Sequence, residues 1–119
     1  MFPVKRFNRT DRVSQLIHRE ISNIIDREMK DHRIGMVTVT SVDVTRDLRH
    51  ANIYVSVLGD TEAVQSSLDA LNDASGFIRM SLGTRVILKY LPELTFRYDS
   101  SVVEGMKMDK LIEQAKNKQ

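Results

Sequence analysis

Apolar residues recur at three- and four-residue spacing near the N-terminus: Val13, Leu16, Ile17, Ile21, Ile24, Ile25 and Met29. That period lays one apolar stripe along a helix, leaving Arg12, Gln15, Arg19, Asn23, Asp26, Arg27 and Lys30 on the other faces. Thr10 or Asp11 is the expected N-cap, and Asp31 the expected end. After the loop Asp31-His32-Arg33-Ile34-Gly35, residues 36–45 are rich in Val and Thr and read as a strand. Their alternation slips: Val37 and Val39 share one phase, Val42 and Val44 the other. A β-bulge near Thr40-Ser41 brings both pairs to one face. Arg46-Asp47-Leu48-Arg49 turns the chain into a second, antiparallel strand over 50–58. There Ala51, Ile53, Val55 and Val57 point inward, and Asn52, Tyr54 and Ser56 outward.

Gly59-Asp60-Thr61 closes that strand, and Asp60 or Thr61 caps a helix whose buried face is Val64, Ser67, Leu68 and Leu71. The pattern breaks at Ala74-Ser75-Gly76 and restarts as a third helix over 77–88, with Ile78, Leu82, Val86 and Ile87 inward. Gly76 is the expected joint, because a residue without Cβ takes unusual backbone angles at little cost. The N–H groups that open the third helix suit a phosphate, and a plain structural corner fits the same residues. Gly83 costs about 1 kcal/mol of helix propensity relative to Ala, a sign of close approach, by a neighbouring helix before a ligand. Leu91-Pro92-Glu93 stops the helix. Residues 94–98 form the last strand, with Leu94, Phe96 and Tyr98 on one face and Thr95 and Arg97 on the other. Ser100 or Ser101 then caps a tail helix carrying Val102, Val103, Met106 and Leu111, with a fraying polar end.

The order helix, strand, strand, helix, helix, strand implies an α+β two-layer sandwich, a three-stranded sheet with helices on one face. The passage through two helices places the third strand parallel to the second by a right-handed crossover. Residues 1–99 make one domain and 100–119 a helical tail. A chain of 119 residues holds one core of this size. It has no cysteine, which fits a reducing compartment and excludes disulfides and thiolate metal sites. No signal-peptide pattern opens the chain, and no run approaches the roughly 20 apolar residues of a membrane span. A cytoplasmic location is expected.

The net charge of +2 is unevenly spread. Residues 1–12 carry +3, residues 13–76 carry −4, and residues 77–98 carry +3 again. Such segregation points to one basic surface and a polyanionic partner. Catalytic apparatus is missing. His18, His32 and His50 have no metal-ligand spacing and read as surface residues, no phosphate loop with Lys-Ser/Thr occurs, and Ser75 and Ser81 have no histidine nearby in sequence. Neither an enzyme, a metal, a cofactor nor a bound nucleotide is expected.

The αββααβ order is that of a type II KH domain, in which nucleic acid lies along the interhelical corner and a Gly-x-x-Gly loop clamps its backbone. Asp73-Ala74-Ser75-Gly76 departs from that loop, having one glycine and no basic pair. With its Ala-x-Gly kink the chain resembles the bacterial ribosome-binding factor A family. Arg9-Thr10-Asp11-Arg12-Val13, the strand 36–45, Leu48-Arg49-His50-Ala51 and the segment from Leu91-Pro92-Glu93 to Asp99-Ser100-Ser101 carry the resemblance. It implies a factor that binds free 30S subunits and 16S rRNA during late maturation, assists 5′-end processing, and matters most in the cold. The residues expected to meet RNA are Ser75 and Gly76 with their backbone N–H groups, Arg79, Arg85 and Lys89 on the third helix, Lys5, Arg6, Arg9 and Arg12, and Arg97. The alternative for Arg79 is a surface arginine lying over Met80 or Leu82. Tyr54 or Phe7 offers a base-stacking surface. Nothing demands a dimer. A general KH-type RNA binder and a protein-interaction module remain as alternatives.

Overall fold

The structure, a computed structural model, describes residues 8–29 and 31–101. Lys5, Arg6 and Phe7, and the expected tail helix beyond Ser101, lie outside them. The elements run α1 (Arg9–Glu28), β1 (Val37–Val44), β2 (His50–Val57), α2 (Thr61–Asp73), α3 (Ser75–Arg85) and β3 (Glu93–Tyr98). The sheet order is β1-β2-β3, antiparallel between β1 and β2 and parallel between β2 and β3. This is the expected α+β arrangement.

α1 starts earlier than Thr10. Asn8 is the N-cap, its side chain accepting from the Asp11 N–H (2.9 Å) while Asp11 accepts from the Asn8 N–H (3.2 Å). This reciprocal capping box satisfies two end donors at once. The helix also ends sooner than Asp31, at Glu28, because Met29 is already extended. Ile17, Ile21, Ile24 and Ile25 are buried against Val39, Val44, Ile53, Val55, Ile78, Leu82 and Phe96 in one core. In β1 the register shifts between Val39 and Ser41, so Thr40 is the bulged residue and Val37, Val39, Val42 and Val44 all turn toward the helices. The Thr40 hydroxyl donates to Asp99 (2.6 Å).

Three corrections concern α3 and its surroundings. The helix ends at Arg85, with Val86 extended, and Ile87 is fully exposed. Lys89 therefore sits in a loop and not on the helix. The group pressed against Gly83 is the Leu91 side chain, 3.1 Å from where a Cβ would stand, and not a neighbouring helix. Gly59, at φ +138° with Ala63 Cβ 2.7 Å from an added Cβ, is the glycine whose backbone freedom the fold uses.

Two polar devices hold the interhelical corner, one to the sheet and one to the loop after α1. Asn72 donates to the Phe96 carbonyl (3.1 Å) and accepts from the Phe96 N–H (2.9 Å), so a side-chain amide pairs with the outer edge of β3. Arg33 bridges Asp31 (2.8 Å) and Asp73 (3.0 Å), joining the loop after α1 to the end of α2. The Arg33 guanidinium, with help from its backbone N–H, lowers the Asp31 carboxyl to about 2.

Asn72→Ala should unpair both main-chain groups of Phe96 and cost about 1–3 kcal/mol in urea unfolding, with faster exchange of the Phe96 amide. Unchanged exchange there would show that water replaces the amide without loss. Because the folded Asp31 pKa lies below its ordinary 3.8, its contribution is complete above that value and disappears as pH falls toward 2. Asp31→Asn should accordingly flatten the loss of stability between about pH 4 and 2, measured as urea midpoints across that range.

Candidate nucleic-acid interface

Ala74 separates α2 from α3 at φ −90° and ψ 5°, angles that any L-residue reaches in a turn. Gly76 is inside α3, outside the positive-φ region, with nothing within 4 Å of an added Cβ. The expectation of a glycine joint is thus corrected: alanine turns the chain. No side chain caps α3. The N–H groups of Ser75, Gly76 and Phe77 therefore open the helix beside a cleft of about 250 Å³ lined by Ser75, Gly76, Arg79, Glu93 and Leu94.

Arg79 is committed to the chain itself. Its Nε donates to the Pro92 carbonyl (3.1 Å) and one terminal nitrogen to the Leu91 carbonyl (2.9 Å). With Leu91 seated on Gly83 and Pro92 fully buried, this fork folds the loop 86–92 back over α3. The loop then presents Tyr90, whose ring has the Arg49 guanidinium 4.6 Å and the Lys89 ammonium 5.4 Å from its centroid. A second cleft, about 430 Å³, opens here among Arg49, His50, Arg79, Lys89, Tyr90 and Glu93. The two clefts share Arg79 and Glu93.

Arg49 reaches this place through an unusual turn. Leu48 has φ +61° and a buried side chain, so the hairpin turn is nailed into the core by a left-handed leucine. Asp47 accepts from the Thr45 hydroxyl (2.6 Å) and the Arg49 N–H (3.1 Å), contacts that hold its carboxyl below the usual range. The Glu93 N–H donates to the Arg49 carbonyl (2.8 Å), joining the turn to the start of β3. The His50 imidazole lies 3.5 Å from the Glu93 carboxylate at the cleft rim.

The other candidates lie apart from this strip. Arg85 pairs with Glu28 and, at 3.7 Å, with Glu20, tying α3 to α1. Ser81 donates to the same Glu28 (2.6 Å), and its hydroxyl ahead of Arg85 keeps the Glu28 carboxyl below its ordinary value. Arg97 donates to Asn52 (2.9 Å) on the open face of the sheet, in register with half-buried Tyr54. Arg9 and Arg12 are exposed in the first turns of α1, and no α1 residue lines either cleft. His18 is not a surface residue: it is half-buried, its Nε2 donating to the Val39 carbonyl (3.0 Å) beside the bulge. Among the described residues no group of three or more His, Cys, Asp or Glu is placed to hold a metal, and no helix is long and apolar enough to cross a membrane.

Sequence reasoning missed Arg49, His50 and Tyr90. The signal was present: a parallel second and third strand set His50 opposite Glu93, which brings Arg49-His50 and Lys89-Tyr90 to one end of the sheet.

Comparison with known proteins gives one answer. Residues 9–112 match the family model of ribosome-binding factor A. Ribosome-binding factor A of Stutzerimonas stutzeri is 46% identical over 114 residues, covering 93% of this chain and 88% of the relative. The crystal structure of ribosome-binding factor A from Thermus thermophilus shares the fold, with a TM-score of 0.68 at 23% identity, over 76% of this chain and 97% of that one. A homology model of the Thermus thermophilus factor, fitted into a cryo-EM map of a 30S-RbfA complex, aligns with a TM-score of 0.61 at 25% identity, over 73% and 91% of the two chains.

Arg79→Ala and Arg79→Lys should both free the loop 86–92, since a lysine keeps the charge but cannot fork onto two carbonyls. Amide exchange at Glu93, whose N–H donates to the Arg49 carbonyl just past this loop, is expected to quicken about tenfold or more in each variant. Wild-type exchange in the lysine variant would assign Arg79 a role of charge alone.

Proposed function

The chain belongs to the ribosome-binding factor A family, and from that premise we propose that it is a non-enzymatic assembly factor that binds the maturing 30S subunit through 16S rRNA. The observation that carries the RNA reading is the continuous strip from the opening of α3 to the Tyr90 cleft. There Arg49, Arg79 and Lys89 converge with Glu93 the sole carboxylate among the lining residues. A polyanion is the partner that relieves such convergence. The 30S complex of the Thermus thermophilus factor supports the small subunit as the target. Phosphate contacts position the chain, and the shape of the ribosomal site supplies specificity, since base-reading side chains are few.

On this reading the factor acts in the cytoplasm as a monomer, on free 30S particles late in maturation. It assists 5′-end processing of the pre-rRNA, with greatest effect in the cold. Residues 1–99 form the RNA-binding domain and 100–119 a C-terminal tail. Lys5, Arg6, Arg9 and Arg12 extend the contact along the N-terminal arm.

Sucrose-gradient sedimentation of extract should place the chain with free small subunits and not with translating ribosomes. Binding to naked RNA of any origin without co-sedimentation indicates a general KH-type binder instead. Arg49→Glu with Lys89→Glu should abolish co-sedimentation. Arg79 and Arg85 are left intact in this test, because those arginines hold the fold. Undiminished binding by the double variant points to a protein-interaction module. If about five phosphates are neutralised, log affinity for single-stranded RNA should fall with log salt at a slope of roughly −3.5.

A further inference from the structure

We infer that the Tyr90 cleft is a seat for one unpaired nucleotide of RNA, its base stacked on the Tyr90–Arg49 pair and its phosphate held by Lys89. The inference rests on the RNA reading above and specifies what that site accepts.

Four observations carry it. First, Arg49 and Lys89 lie 4.6 and 5.4 Å from the same ring centroid, so the two cations are at most about 10 Å apart. The ring attracts both cations but carries no net charge, so an anion seated beside them adds attraction to each. Second, Tyr90 is 39% exposed and lines a cleft, whereas Phe77, also exposed, lines neither cleft of the strip. An aromatic ring flanked by a guanidinium offers two stackable planes, and both tyrosine and arginine planes accept splayed bases. Third, the cleft of about 430 Å³ falls within the range of small-ligand sites. A duplex presents phosphates to such a cleft but keeps its bases stacked inside. Fourth, both walls are fixed before any ligand arrives. Arg79 pins the loop that carries Lys89 and Tyr90, and the Glu93 N–H pins the Arg49 carbonyl. A pre-formed seat lowers the ordering cost of binding. Glu93 at the rim faces His50 and not the Tyr90 ring cations in any close ion pair.

Fluorescence anisotropy with the full chain tests this, using an unstructured RNA oligonucleotide and a blunt-ended RNA hairpin with equal numbers of phosphates. The wild-type chain should prefer the single strand. Tyr90→Ala and Tyr90→Leu should weaken single-strand binding roughly ten- to one-hundred-fold and hairpin binding less than about two-fold, while Tyr90→Phe retains both. Because Leu keeps apolar bulk without a π-face, it controls for a loop that has lost packing. Equal loss on both RNAs, no loss on either, or full binding by Tyr90→Leu overturns the nucleotide seat. Displacement of RNA by an acidic peptide at matched charge also overturns it, assigning the cleft to a protein partner. A wild-type chain that travels with small subunits yet shows no single-strand preference sinks this inference and leaves the ribosomal reading standing. A chain that binds neither subunits nor RNA sinks both.

Discussion

The first strand can serve this core only because one residue too many has been inserted in it. Val37 and Val39 stand out of phase with Val42 and Val44, and a three-stranded sheet with helices on one face cannot bury both pairs on a regular strand. Thr40 takes up the difference, and much else hangs from it. Its hydroxyl reaches Asp99, fixing the chain where it leaves β3. The neighbouring Val39 carbonyl accepts from His18, fixing α1 over the sheet. With α1 so placed, Glu28 meets Ser81 and Arg85 and locks α3, whose opening turns and Arg79 form one border of the basic strip.

The division of labour among the arginines follows. Arg85 and Arg33 each answer two carboxylates, and Arg79 answers two carbonyls. Their charges are used inside the fold, as ties between α1, the corner and the loop 86–92. What faces outward is Arg49 and Lys89, residues in turns whose backbones other contacts have already fixed. Surface charge at this end of the molecule thus depends on internal charge a few residues away.

The architecture was legible because its signals are periodic. Apolar spacing marked α1, alternation marked β2, and the broken phase of the valines foretold the bulge. What escaped was non-periodic. Leu48 gives no hint in its type that it enters the left-handed region, where leucine is rare; only a core pocket that rewards its burial holds it there. Asn72 and Arg79 bond to main-chain atoms brought near by folding, so their partners cannot be read from neighbours in sequence. The end of α3 was overrun because Val86, Ile87 and Leu88 continue the apolar pattern, whereas the chain there is already extended and leaves Ile87 in water. The candidate site was half-legible for the same reason: its α3 residues stand in one stretch, while Arg49 arrives from a distant turn.

The hydrogen bond from the Glu93 N–H to the Arg49 carbonyl joins two segments far apart along the chain, and the cleft between them has no counterpart in the unfolded protein. Any ligand of that cleft therefore binds the native state alone, and by mass action it raises the free energy of unfolding. At a free ligand concentration one hundred times Kd the increment is about 2.7 kcal/mol, a large fraction of the stability of a small domain. A chain with this cleft filled would accordingly resist heat and proteases better than one with it empty. Emptying the cleft leaves the same fold with a shorter lifetime.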